Sequence, residues 1–418
     1  MGHKSFSLST ICAFALTCAM TTFASPRVTA QTETVLHTFN GPGDGGEPYG
    51  APIFDKTGNL YGVTFMGGTY TNGTVYELKA GSWTEEILHS FDPSAGDGES
   101  PQGALVMDSA GNLYGVTPLG GGRKLGIVYE LTPEAGSTWK EKIIHTFVGG
   151  SDGRSPQAGL IIDKKGNLYG TTYQGGDGTE CGKFGCGTVF ELSPKSGGGW
   201  TEKILYSFKA GTSDGQNPSA PLLMDAAGNL YGTTVAGGTG GSVNSGTVFK
   251  LSPNGSGGYT ETLLHSFTSN GTDGINPFAG LVLDSKGNLY STTGAGGTYG
   301  FGTVFELSPG SNDKWTETIL HSFGASGDGQ YPQFSGVIFD KSGNLYGTTS
   351  GGGSNANGIV FKMTPASGSG WNESVFFNFD GTDGNVPQAV IFNTTGDLYG
   401  ITQYGGSNLG GTAFEIVP

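Results

Sequence analysis

Short apolar runs, none of them helical in period, order this chain. Runs rich in Val, Ile, Leu, Thr, Phe and Tyr alternate with clusters of Gly, Pro, Asn, Asp and Ser, the pattern of strands joined by tight turns. No window holds an apolar period near 3.6, and glycine at 79 of 418 positions would penalise any helix. The runs come in fours, and the fours recur. Gly-Asn-Leu-Tyr, with Asp replacing Asn in the last copy, returns with its Leu at 60, 113, 168, 230, 289, 345 and 398, about 56 residues apart. Four strands per unit at such a period predict an all-β propeller of seven four-stranded blades. The repeat therefore predicts one domain over residues 31–418, although length alone suggests two or three.

The two ends support closure into a ring. The seventh unit stops after its third run, Gly411-Thr412-Ala413-Phe414-Glu415-Ile416, and a fourth-run sequence, Thr-Glu-Thr-Val-Leu-His-Thr-Phe, stands at 32–39 ahead of the first unit. An N-terminal strand that completes the last blade explains both. The first run of each unit, as in Gly280–Asp284, is apolar and suits an innermost strand packed on both faces. The fourth carries charge, as in Lys140-Glu141-Lys142, which suits an exposed edge.

Residues 1–30 hold Lys4, an apolar stretch from Ile11 to Met20 and small residues up to Ala30, the layout of a secretory signal peptide. Export, to the extracellular space or the cell envelope, is expected, with no membrane insertion after cleavage. Removing Lys4 and Arg27 takes the net charge from −15 to −17, the wrong sign for a nucleic-acid binder. Only Cys181 and Cys186 would remain, in one loop, and an oxidising compartment predicts a disulfide between them. No anchor is visible at Ile416-Val417-Pro418, and the chain is expected to act as a monomer.

Candidate chemistry is sparse. His37, His89, His145, His265 and His321 share one repeat position, assigned to Tyr206 and Asn378 in the other two units; one per outer strand, they are expected to be structural. All five tryptophans stand just before the fourth runs and read as blade packing. The motif Asp-Gly-x-x-Pro begins at Asp44, Asp97, Asp152, Asp214, Asp273, Asp328 and Asp383. It reads as a turn cap, with Gly at positive φ, or as a carboxylate ring holding Ca²⁺ at the channel mouth. Where the repeat breaks, Arg123, Lys124 and Arg154 stand near the insertion carrying Asp177, Glu180, Lys183 and Phe184, a candidate ligand-binding patch with capacity for an anion. Nucleophile elbows, phosphate loops and His-Glu-x-x-His are absent, so no catalytic residue is assigned.

The unit Asp-x-x-Gly-Asn-Leu-Tyr-Gly-Thr-Thr, then Gly-Thr-Val-Phe-Glu-Leu-Ser-Pro and Leu-His-Ser-Phe, resembles the GloVer tandem repeat of bacterial choice-of-anchor proteins across residues 32–418. That resemblance implies an exported bacterial surface or extracellular protein and brings no activity with it. The Asp-x-x-Gly-Asn turn is more loosely similar to those of NHL-type propellers, among them binding modules, lactonases and lyases. Fold analogy of this kind does not assign function. The expected role is a non-catalytic module binding an extracellular glycan, peptide or envelope component through variable loops. The alternatives are a channel-mouth hydrolase or lyase, with Ca²⁺ as its cofactor, and a structural surface protein.

Overall fold

Each sequence unit becomes one antiparallel sheet. In the computed structural model, which describes residues 31–418 other than 137, 179, 240–244, 312, 313, 335 and 369, blade five runs Val282–Leu283, Leu289–Thr293, Thr303–Pro309 and Trp315–Ser322, hydrogen-bonded in that order. Seven such blades form a propeller, and residues 31–418 make one compact unit. The signal peptide expected at 1–30 lies outside the described residues.

The hydrophobic pattern explains which strand sits where. The second strand, as in Leu289–Thr293, is buried at every residue, and the third is buried at alternate positions and more, because neighbouring blades cover both faces. The innermost strand is not the most buried one, contrary to the sequence reading. In blade five it is two residues long and half-buried, since one side faces the channel. The outer strand is half-buried and carries a bulge ahead of its last residues, opposite Val304–Phe305 in blade five, with the same shift in the other blades.

Turns follow from side-chain caps. In the Asp284-to-Asn288 turn, Asp284 Oδ1 accepts the backbone N–H groups of Lys286 and Asn288, and Oδ2 accepts Asn288 Nδ2 and the Tyr290 hydroxyl. Gly287 supplies the φ of +89° that the turn requires.

Blades meet through aromatics. Phe323, fully buried at the end of one outer strand, packs on Phe361 of the next blade at 5.0 Å, and Phe91–Tyr129, Phe147–Phe190 and Phe267–Phe305 repeat the contact. Tryptophans pack across seams as well: Trp200 on Tyr114 at 5.8 Å and Trp371 on Tyr290 at 6.0 Å. The same interlocking closes the ring. Thr32–Thr38 pairs antiparallel with Thr412–Val417, and Phe39 packs on Tyr76 of blade one at 5.0 Å.

Pairing register also corrects one alignment. Val360 faces Phe377, as Val304 faces His321, so Phe377 and not Asn378 holds the histidine position in blade six. Asn378 takes the place of Ser322; both side-chain oxygens accept a backbone N–H from the loop between the second and third strands.

Candidate functional site

All seven blades open their variable loops on one face, here the top, where second strands end and the Asp-Gly-x-x-Pro segments lead inward. The segment is shaped by crowding. Its Gly is at positive φ only at Gly153 and Gly384; elsewhere glycine is needed because a Cβ would meet a threonine, Thr117 at 2.6 Å from Gly98 and Thr64 at 2.3 Å from Gly45. The left-handed residue is instead the one before proline: Glu47, Ser100, Ser155, Asn217, Asn276, Tyr331 and Val386, with φ between 53° and 60°. That conformation turns its N–H onto a loop carbonyl of the preceding blade, as in Tyr331 to Phe301 at 2.8 Å and Val386 to Asn357 at 3.1 Å. Seven such clasps knit the top loops together.

The motif aspartates sit at the seams between blades. Asp97 accepts Gly98 N–H on one oxygen and the Asp92 N–H and His89 Nε2 on the other, His89 at 2.8 Å. Asp152 and Asp328 hold His145 and His321 likewise at 3.0 and 2.9 Å, and Tyr206 donates to Asp214 at 2.9 Å. A glutamate from the next outer strand completes each set. In four seams, His37–Asp44–Glu85, His145–Asp152–Glu202, His265–Asp273–Glu317 and His321–Asp328–Glu373, donor atoms lie within 4.8 Å of one another. Burial, reinforced by the motif aspartate, pushes the carboxyls of Glu141 and Glu261 up to about 7. Burial does the same to Glu373, opposed by His321 and reinforced by Asp328. Asp383 has no histidine beside it; burial raises its carboxyl and that of the facing Glu33. Among the described residues no two motif aspartates share a donor set, so each carboxylate serves its own seam. A histidine with two carboxylates suits zinc-like ions better than the all-oxygen shell of Ca²⁺.

The channel mouth is lined by other residues. Tyr49, Gln102, Gln157, Ser219, Phe278 and Gln333 follow the motif proline in blades one to six and surround a cavity of about 200 Å³. No sequence signal marked them, because this position varies from blade to blade.

The loop insertion of blade three forms a second cavity, about 420 Å³. Cys181 and Cys186 are disulfide-bonded, and Cys186 is fully buried, which holds the loop against the blade. Arg154, Asp177, Lys183 and Phe184 all line the cleft. The Arg154 guanidinium and Lys183 ammonium lie 5.2 and 4.9 Å from the Phe184 ring centre, and Arg154 Nε is buried with no partner. Arg123 stays outside, donating to Val148 O at 3.4 Å, one residue before the Gly149–Gly150 rim. Lys124 is exposed in a tight loop turn at φ 57°, and Glu180 points away, its carboxylate over Gly211.

Side-chain exposure is one-sided. Of eleven large hydrophobic residues exposed among those described, ten lie on the top loops, including Tyr70, Phe184, Phe278, Tyr299, Tyr331 and Tyr404; Val417 is the exception. Scattered exposed apolar residues are ordinary, but their concentration on one face marks an interaction surface.

Fold and repeat together define a seven-bladed propeller built from one tandem unit. The profile of the Gloeobacter/Verrucomicrobia repeat matches residues 20–239 and 176–414, and the chain belongs to that family. No curated protein matches it. Among solved structures it is similar to a Thermus thermophilus oxidoreductase described as a glucose dehydrogenase, at 14% identity and TM-score 0.43, over 93% of this chain and 100% of that one.

Proposed function

We propose that this protein is an exported, non-catalytic binding or scaffolding module that holds an extracellular glycan through its top face. The observation that carries this reading is that, among the described residues, the exposed large aromatic side chains are concentrated on that face. Tyr and Phe rings offer flat apolar surface at low entropic cost, and sugar faces stack on such surfaces. Arg154 and Lys183 add a cationic point beside Phe184, suited to a carboxylate or sulfate carried on the glycan. In three seams the histidine is engaged by the motif aspartate: His89 with Asp97, His145 with Asp152 and His321 with Asp328. Among the described residues no helix is long and apolar enough to cross a membrane.

Thermal shift and calorimetric titration against laminarin, xyloglucan, alginate and polygalacturonate test the proposal. At least one polymer is expected to raise the melting temperature by mass action. Tyr70→Ser with Tyr299→Ser, both about half exposed, is expected to weaken that binding at least tenfold without altering the melt of the free protein. Binding that these substitutions leave untouched, or no binding by any polymer, would overturn it.

A further inference from the structure

The cavity at the channel mouth has a chemistry that the rest of the top face lacks. Six blades each place one side chain there from the same repeat position, and the six are three amides, one hydroxyl and two aromatics: Gln102, Gln157, Gln333, Ser219, Tyr49 and Phe278. Phe334 adds a third ring, edge-on to Tyr49 at 5.8 Å. No charged side chain lines the cavity, although the chain as a whole carries net charge −15.

These polar groups are unsatisfied. The Gln102, Gln157 and Gln333 amides are half-buried and make no side-chain hydrogen bond among the described residues, and Ser219 Oγ is buried without a partner. Buried polar groups are normally paired, so the orphan Ser219 Oγ at the cavity wall points to a ligand or ordered water, and the three half-buried amides beside it can bond the same occupant. Gln388, which holds the same position in blade seven, is 1% exposed; its Nε2 donates to Gln403 Oε1 at 3.3 Å, and its Oε1 is buried without a partner. Burial beside Tyr404 raises the Tyr49 phenol to about 12, so it remains a neutral hydroxyl.

A pocket with alternating amide donors and acceptors, flat rings and no charge recognises a neutral polyhydroxylated ring. Each amide offers one N–H₂ and one carbonyl, which match a hydroxyl acting as acceptor and donor. Size narrows the class: about 200 Å³ corresponds to roughly seven waters at ~30 Å³ each, the scale of one pyranose. Below the mouth the channel continues as a largely apolar cavity of about 240 Å³ between the inner strands, lined by Ala51, Val282, Val337, Ile338 and Ile391, so the polar groups that can orient a sugar stand at the mouth alone.

We propose that the channel mouth is a subsite for a single neutral pyranose, the terminal residue of the glycan held by the top face. This rests on the glycan-binding reading above and deepens it. Saturation-transfer NMR on residues 31–418 with D-glucose, D-galactose, D-mannose and N-acetyl-D-glucosamine tests it, alongside laminarin and xyloglucan titrations on the same preparations. At least one monosaccharide is expected to receive saturation, and Gln102→Ala with Gln157→Ala to abolish it. Phe278→Ala, at a residue 38% exposed and so removable without harm to the core, is expected to weaken the monosaccharide at least fivefold. Monosaccharide signals absent from the wild type, or unchanged in both variants, overturn the subsite. If polymer binding persists in that case, the top-face reading stands; if polymers also fail to bind, both readings fall.

Discussion

Ring closure by the N-terminal strand makes a quantitative demand on one residue. Phe39 belongs, by sequence number, to the start of the domain, yet it is fully buried in a cluster with Tyr76 and Leu78 of blade one and Ile401 and Ala413 of blade seven. It repeats Phe323, which is equally buried in the middle of the chain between blades five and six. Removing a buried phenyl ring costs about 3–5 kcal/mol in lost transfer energy and cavity formation. If Thr32–Thr38 is an integral outer strand, Phe39→Ala must cost as much as Phe323→Ala, within about 1 kcal/mol. Both variants are unfolded in urea and followed by tryptophan fluorescence, with midpoints compared at common slope. A Phe323→Ala loss of several kcal/mol beside a Phe39→Ala loss under about 1 kcal/mol would refute closure, because a docked but dispensable terminus lets Phe39 go cheaply. Deleting 31–39 extends the test. It strips the partner from Thr412–Val417 and leaves an unpaired edge, so concentration-dependent association should appear in sedimentation.

Three further outcomes follow from the seams and loops. The carboxyls of Glu33, Glu141, Glu261, Glu317 and Glu373 are raised by burial to about 7, facing Asp383, Asp97, Asp214, Asp273 and Asp328 and, in three of these seams, His89, His265 or His321. An acid whose folded value is raised binds its proton more tightly when folded. Its stabilisation is therefore complete below about 4.5 and is lost as pH climbs through about 7. Stability should fall between about pH 4.5 and 7 by on the order of 1 kcal/mol per seam after solvent screening, and the melting temperature with it; Glu317→Gln should flatten the curve, and a melt independent of pH contradicts the seam chemistry. Val386 adopts φ 56° despite β-branching, so Val386→Asn, the residue that blades four and five carry there, should stabilise by about 1 kcal/mol in urea unfolding. Reduction of Cys181–Cys186 should cost roughly 2 kcal/mol by loop entropy, and should weaken alginate or polygalacturonate more than neutral polymers, because it frees Phe184 from Arg154; equal losses would remove the cleft from the binding surface.

How much of this was legible follows from what repetition preserves. Strand number, blade number and closure could be read directly, because every unit must bury the same faces against its neighbours: Leu-Tyr-Gly-Thr-Thr is wholly buried in blades three and six alike. What could not be read is what lies across a seam. The outer-strand histidine and the motif aspartate are several residues apart in sequence, but the glutamate that completes their set belongs to the following blade, more than 40 residues on. No local pattern carries that pairing. The equivalence of Phe377 to the histidines, by contrast, was legible: it stands two residues before Phe379 as His321 stands two before Phe323, and pairing with Val360 bears this out against Asn378. The channel mouth escaped for the opposite reason. Its residues hold a fixed place in the motif but differ from blade to blade, and a search for repeated chemistry passes over a position that does not repeat. In a propeller that position is where unlike side chains from all blades converge on one axis, so variation at a geometrically fixed site is itself the signal of a ligand surface.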